Sequence, residues 1–461
     1  MSQLIEQSRS PLVEQPLKTS AATGATLACM GLADSIPLMH GSQGCGAFAK
    51  VYLIQHFREP IPLQNTAIDH IAAVMGGDDN LSQALQLLCD THQPKLIMVM
   101  TTGLTEMQGC DLDRVIREFR QQYPQYQQVY IVPVTTPDFV GTMQTGFADA
   151  IQACVKQMLL HNPIDSATAL AKRNNQQLNV FCSVALTSAD VELIEHYCGA
   201  FGFSAIMLPN LSLSLDGHLA EQDYSVTATG GTSIKQLADM AYSAANLVVG
   251  PSMSSAAHVL EQQCGMPSYH LGMAMGLAET DQLILILSRL SGKPVPAWLS
   301  RQRKRLQDSL LDTHFLLSNS TIALALEPDA ACGYSSLLSE VGAQIKLVVS
   351  TLNSRSLKQI NAQRIIIGDL SDLSQQLGSI ELVVGNTHCA NLCEPETPVL
   401  RAGYPCHDRF GNSDVLQVGY EGARARLFAL ANLLKAYHQD EVPAHVSAYR
   451  FGPEQTLTNQ Q

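Results

Sequence analysis

A single recurring pattern limits the folds open to this chain. Short apolar runs, each ended by a turn, alternate with segments whose apolar residues recur at helical spacing. Residues 95–100, 129–134, 178–184, 204–209 and 246–250 are such runs, and 321–326, 344–349, 364–368 and 381–386 continue the series. Helical patterns fall between them near 81–89, 112–122, 147–160, 190–201 and 254–263. A strand that is apolar on both faces, followed by a crossover helix, is what a parallel sheet covered on both sides requires. The chain therefore reads as α/β with parallel sheets. Its 461 residues, 46% apolar and 15% charged, suffice for three related units. We place them at 19–170, 171–300 and 301–450, the last including a connector helix.

Residues 1–18 are polar, hold Pro11 and Pro16 and show no sustained apolar period, so they read as an arm, mobile or draped, with order beginning near Ser20. Residues 451–461 read as a frayed tail. The N-terminal residues lack the apolar core of a signal peptide, and no apolar run approaches the ~20 residues of a membrane span. A cytoplasmic chain with no membrane partner is expected. A net charge of -13, without interleaved basic and aromatic residues, argues against nucleic acid as a partner. The 12 cysteines are scattered without a CxxC pair, which suits reduced and mostly buried thiols better than a disulfide framework.

Within the first unit the apolar run 36–39 stops at His40-Gly41-Ser42-Gln43-Gly44-Cys45-Gly46. Glycines so closely spaced let the backbone take positive φ and approach a ligand. Phe48, Val51 and Tyr52 then recur at helical spacing, which predicts a largely buried helix reaching Phe57 and stopped before Pro60. Cys45 falls at the N-terminus of that helix, where unpaired N–H groups favour thiolate, the form that binds soft metals and iron–sulfur clusters. Taken alone, a cysteine here is more often a small residue packed into a tight turn. Ligands of open parallel sheets gather beyond the carboxyl ends of the strands, and both the Cys45 turn and a loop at 101–106 lie there.

Other positions invite chemistry less strongly. His40 is placed either to hydrogen-bond a cluster or to hold the turn. His388, Cys389 and Cys393, with Cys406 and His407, hold metal-ligand side chains, but without paired-knuckle spacing they read as cysteines packed in a loop after a strand. Gly230-Gly231-Thr232-Ser233 reads as a helix cap in preference to a phosphate site. The basic run 301–306 reads as a solvated connector helix. There is no Ser-His-Asp order, zinc-hydrolase helix or phosphate loop to support an independent enzyme.

Six segments then carry a resemblance over nearly the whole chain. They are Pro37-Leu38-Met39-His40-Gly41-Ser42-Gln43-Gly44-Cys45, Arg58-Glu59-Pro60, Met75-Gly76-Gly77, Thr101-Thr102-Gly103-Leu104-Thr105-Glu106-Met107, Gly292-Lys293-Pro294-Val295-Pro296 and Leu400-Arg401-Ala402-Gly403-Tyr404-Pro405. Through them the sequence resembles the nitrogenase component 1 family, and within it the β-subunit-like chains of cofactor biosynthesis. The resemblance implies three Rossmann-like α/β domains with mainly parallel sheets. It implies a scaffold in which this chain pairs with a NifE-like α-type chain, the pairs forming a heterotetramer. On that scaffold the iron-molybdenum cofactor precursor, delivered from NifB and bound transiently by the complex, would be matured with the nitrogenase iron protein supplying electrons. No catalytic residue and no precursor ligand is implied on this chain. The competing implication is an enzyme subunit, of a nitrogenase-like or a dark-operative protochlorophyllide reductase-like oxidoreductase.

The cysteines separate these implications. The nitrogenase β subunit gives three cysteines to the P-cluster it shares with its partner, and by the resemblance those positions fall on Ser20, Cys45 and Gly103. Only Cys45 retains a thiol. A 4Fe-4S cluster needs about four ligands, usually thiolates. The resemblance therefore implies one 4Fe-4S cluster at the interface, with Cys45 as this chain's single ligand and the others from the partner chain.

Overall fold

Every residue of Ser35–His40 and of Leu96–Thr101 is buried, so these strands pack on both faces as a parallel sheet demands. Fully burying one such leucine or isoleucine contributes about 1.5–3 kcal/mol. The computed structural model describes residues 5–10, 12–219 and 225–438. After β1 (Ile5–Gln7), the strands β2 (Ser35–His40), β3 (Gln64–Asn65), β4 (Leu96–Thr101) and β5 (Tyr130–Val134) form a sheet in the order β3-β2-β4-β5. Next, β6 (Asn174–Cys182), β7 (Ser204–Leu208), β8 (Ser243–Val249) and β9 (Ser268–Leu271) form a second in the order β7-β6-β8-β9. The third holds β10 (Thr321–Ala325), β11 (Gln344–Ser350), β12 (Ala362–Ile367), β13 (Leu382–Gly385) and β14 (Val399–Arg401), and β1 joins it in the order β1-β12-β11-β10-β13-β14. All pairings are parallel, as the alternation in the sequence predicts.

The arm takes the draped form of the two that the sequence leaves open, but it is ordered before Ser20. Ile5–Gln7 pairs with Ile365–Ile367, and the Arg364 guanidinium grips the Glu6 carboxylate at 2.8 Å. Farther along, the Leu370 N–H donates to the Gln15 carbonyl at 2.9 Å, so the arm is draped on the third sheet. The tail expected at 451–461 lies outside the described residues. Two predicted loops are short helices, Gly103–Met107 and Thr387–Cys393, each held at its start by side chains, Thr102 with Thr105 in the first and Asn386 in the second. The connector is a helix at Ala297–Leu317, but only one face is solvated. Leu299, Leu306 and Leu317 are buried on it, and it packs against the helix Gly419–His438.

Several helices are absent from the sequence reading, among them Gly276–Ser291, Pro328–Glu340 and Gly419–His438, and one more has no amphipathic pattern to read. α1 (Ala21–Met30) is buried on all sides and crosses the helix Met143–His161 in backbone contact. A Cβ on Gly24 would stand 2.0 Å from the Met143 carbonyl oxygen, and one on Gly146 would stand 1.9 Å from that of Ala21. This contact fixes α1, whose N-cap is Ser20, against the first sheet.

The three sheets meet at the turn that follows β10. Glu327 accepts a hydrogen bond from the Thr142 hydroxyl at 2.9 Å, and the Asp329 N–H donates to Gln144 Oε1 at 2.9 Å. The Asp329 carboxylate in turn accepts from the hydroxyls of Ser183, at 2.7 Å, and Ser252, at 2.5 Å. Among the described residues, no helix is long and apolar enough to cross a membrane.

Candidate functional site

The glycine turn is built by close approach. A Cβ on Gly41 would lie 2.5 Å from Thr102 Cγ2, and one on Gly46 would lie 2.8 Å from Asn65 Nδ2, so a side chain at either position would have to displace Thr102 or Asn65. Asn65 Nδ2 donates to the Ser42 carbonyl at 3.0 Å and pins the residue that starts α2 (Gln43–Phe57). Cys45 stands on the first turn of α2, half-buried, with Sγ 3.3 Å from the Ser42 hydroxyl. It opens on a cleft of about 340 Å³ whose walls include Lys18, Ser20, Tyr52, Thr102 and Asp138.

The positions that the sequence pairs with Cys45 converge there. Ser20 lines the same cleft, with its hydroxyl accepting the Thr23 N–H at 3.2 Å as the cap of α1. Gly103 follows Thr102, and a Cβ on it would lie 3.7 Å from Asp138 Oδ2. Lys18 Nζ donates to the Asp138 carbonyl at 2.9 Å and draws the arm across the cleft. The Thr19 hydroxyl and the Tyr52 hydroxyl are hydrogen-bonded, and burial pushes the Tyr52 phenol well above its ordinary value.

Exposed apolar side chains lie on α2 and on two short helices of the first unit. Phe48 is 82% exposed and Val51 on the same helix 52%, which corrects the expectation of a largely buried helix: α2 buries Gly46, Ala49, Leu53, His56 and Phe57 and turns Phe48, Val51 and Ile54 outward. Val74 and Met75, at 85% and 81%, lie on the helix His70–Met75, and Met107 ends the helix Gly103–Met107. Gln108 Nε2 joins those two short helices by donating to the Ala72 carbonyl at 3.0 Å. Apolar periodicity is the same for a core face and for a face that another chain covers.

The profile of the nitrogenase component 1 type oxidoreductases matches residues 20–435. The chain belongs to that family. It is 38% identical to the nitrogenase iron-molybdenum cofactor biosynthesis protein NifN of Klebsiella pneumoniae, over 97% of this chain and 96% of the relative. The protein of the same name from Nostoc is 39% identical over 91% of this chain and 92% of its own. Among solved structures, a chain of "Nitrogenase Cp1 at pH 6.5" matches with a TM-score of 0.86 at 28% identity, covering 96% of this chain and 98% of that one.

The other candidates on this component 1 chain do not gather into a site. His40 is buried, with Nδ1 3.0 Å from the Thr66 hydroxyl. Its Nε2 has no partner, and its Cε1 lies against Gly77, where a Cβ would come within 3.1 Å. Burial lowers its pKa to about 4, so it is a neutral ring bracing the turn and makes no hydrogen bond to Cys45. Cys389 and Cys393 are buried in the third sheet's core, where burial pushes both thiols to about 12. His388 and His407 meet edge to face with ring centroids 5.8 Å apart. Ser233 caps the helix Ile234–Asp239 with Gln236, as the glycine-rich turn before it suggests. Sequence reasoning missed Lys18, Tyr52 and Asp138. Lys18 and Asp138 come from the arm and a loop, which carry no period, and Tyr52 counted only as part of an apolar face.

Proposed function

We propose that this chain is the β-like half of a two-chain scaffold on which a precursor of the nitrogenase iron-molybdenum cofactor is matured, and that Cys45 is its one ligand to a 4Fe-4S cluster shared with a NifE-like α-type chain. The observation that carries this reading is a half-buried thiol on the first turn of α2, opening on a cleft whose wall includes the exposed Phe48 ring. Among the described residues no three His, Cys, Asp or Glu side chains come together as a metal centre. The donor set thus fits one ligand of a shared cluster better than a cluster held by this chain alone. The name carried by its relatives supports the biosynthetic role.

A bound cluster would supply one-electron transfer. The residues of this chain position the ligand: Cys45 stands on the first turn of α2, and the Ser42 hydroxyl is within hydrogen-bonding distance of the sulfur. The exposed apolar side chains of α2 and of the short helices exclude water once the α-type chain covers them. Electrons from the nitrogenase iron protein, precursor from NifB and pairing of two such heterodimers into a heterotetramer complete the scheme.

Charge placed at the exposed apolar positions tests the pairing. In cells producing a tagged α-type partner, Phe48→Asp and Val74→Asp should each cut co-purification about tenfold, the equivalent of ~1.4 kcal/mol, without lowering the soluble yield of this chain. Full pairing of both variants would contradict the interface.

A further inference from the structure

The far end of α2 is held by the third sheet's loops. His56, on the last turn, is 7% exposed, and its Nδ1 accepts a hydrogen bond from the Cys406 N–H at 3.0 Å. Asn412 ties the two residues together, its Nδ2 donating to the His56 carbonyl at 2.9 Å and to the Cys406 carbonyl at 2.6 Å. Arg58, just beyond the helix, donates to the His407 carbonyl at 2.8 Å and lies over the Phe410 ring, 5.1 Å from its centroid. The Tyr404 ring packs on the imidazole with centroids 4.4 Å apart. Burial, reinforced by His407, lowers the His56 pKa to about 3, so the ring is neutral and its Nδ1 lone pair is available to the Cys406 N–H.

The near end holds Cys45, with Ser42 pinned by Asn65, and between the two ends the helix is held by the buried Leu53 and by the Tyr52 hydroxyl, which pairs with that of Thr19. Gly46, Ala49 and Leu53 make the buried face, and glycine and alanine offer little side chain to lock a helix along its axis. Phe48, Val51 and Ile54 point outward. An α-helix is stiff and advances ~1.5 Å per residue, so a displacement at His56 is carried about three turns to the first turn of α2.

We infer that His56 is a positioning residue for Cys45: the loop 404–412, hydrogen-bonded to the last turn of α2, sets where the Cys45 sulfur stands. The inference rests on the cluster proposed at Cys45. It makes the third sheet, distant in sequence from the thiol, part of the support of that ligand.

Three variants test it in the complex with the α-type partner. His56→Leu keeps bulk and removes the acceptor, whereas His56→Asn places an oxygen close to where Nδ1 stands. Asn412→Ala loosens the same grip without altering α2. The measurements are iron per complex, the electron paramagnetic resonance (EPR) spectrum of the reduced cluster, and the rate of iron loss to a chelator. His56→Leu and Asn412→Ala should retain iron but shift or broaden the cluster signal and lose iron several-fold faster, and His56→Asn should restore both properties. Unchanged spectra and rates in His56→Leu and Asn412→Ala would overturn the inference, and Asn412→Ala decides alone if the leucine variant does not assemble. A complex that shows no cluster signal even with the unaltered chain would instead defeat the reading of Cys45.

Discussion

Cysteine is the residue whose setting divides this chain most clearly into structure and chemistry. Cys29, Cys154, Cys198 and Cys389 are buried, and burial pushes each thiol to about 12, which keeps them protonated packing groups. Cys45 packs partly against the first core and partly opens on the cleft. The metal-like spelling of Cys389 and Cys393 ends as two core contacts on one helix. Changing either to serine should leave the iron content of the complex unchanged while costing about 1–3 kcal/mol, because a buried hydroxyl without a partner replaces a thiol. Iron assay and thermal midpoint check the two halves of that expectation, and iron lost from either variant would reinstate the segment as a metal site. At this scale the sequence could nominate Ser20, Cys45 and Gly103 by motif, but not Asp138, whose carboxylate reaches Gly103 only through tertiary folding.

At the scale of elements, legibility followed amphipathicity. Strands buried on both faces announced themselves in the sequence, as did several helices with one apolar side, although Gly276–Ser291, Pro328–Glu340 and Gly419–His438 went unread. α1 did not announce itself, because a helix of small residues buried all round has no side to display, and its position depends on two glycines that let backbones touch. α2 was legible as a helix and misread as to face, since Phe48 and Val51 repeat at the spacing of a core stripe but point outward. β1 could not be found: three residues make no period, and their partner strand begins at Ala362.

On the scale of the whole molecule, the junction of the three sheets is where pH should act. Burial raises the Glu327 carboxyl from 4.5 to about 7, against the lowering effect of the Thr142 hydrogen bond. Between those values the folded chain keeps a proton that the unfolded chain has released. The contribution of this group to stability therefore falls as pH rises through that window and is constant above it. Glu327→Gln removes the slope. Relative to that variant, the unaltered chain should lose about 1–3 kcal/mol between pH 5 and 8, read from thermal midpoints at both pH values. Parallel midpoints in the two proteins would show that Glu327 does not titrate in this window.

The three-sheet junction and the cleft belong to one frame, and the claim that gives the frame its purpose is that Cys45 binds iron. The most direct measurement is the iron content and low-temperature EPR spectrum of the reduced complex, purified without oxygen, comparing the unaltered chain with Cys45→Ala. Loss of one 4Fe-4S signal per heterodimer, with pairing intact, is the predicted result. Unchanged iron and an unchanged spectrum would contradict it and return Cys45 to the packed thiols.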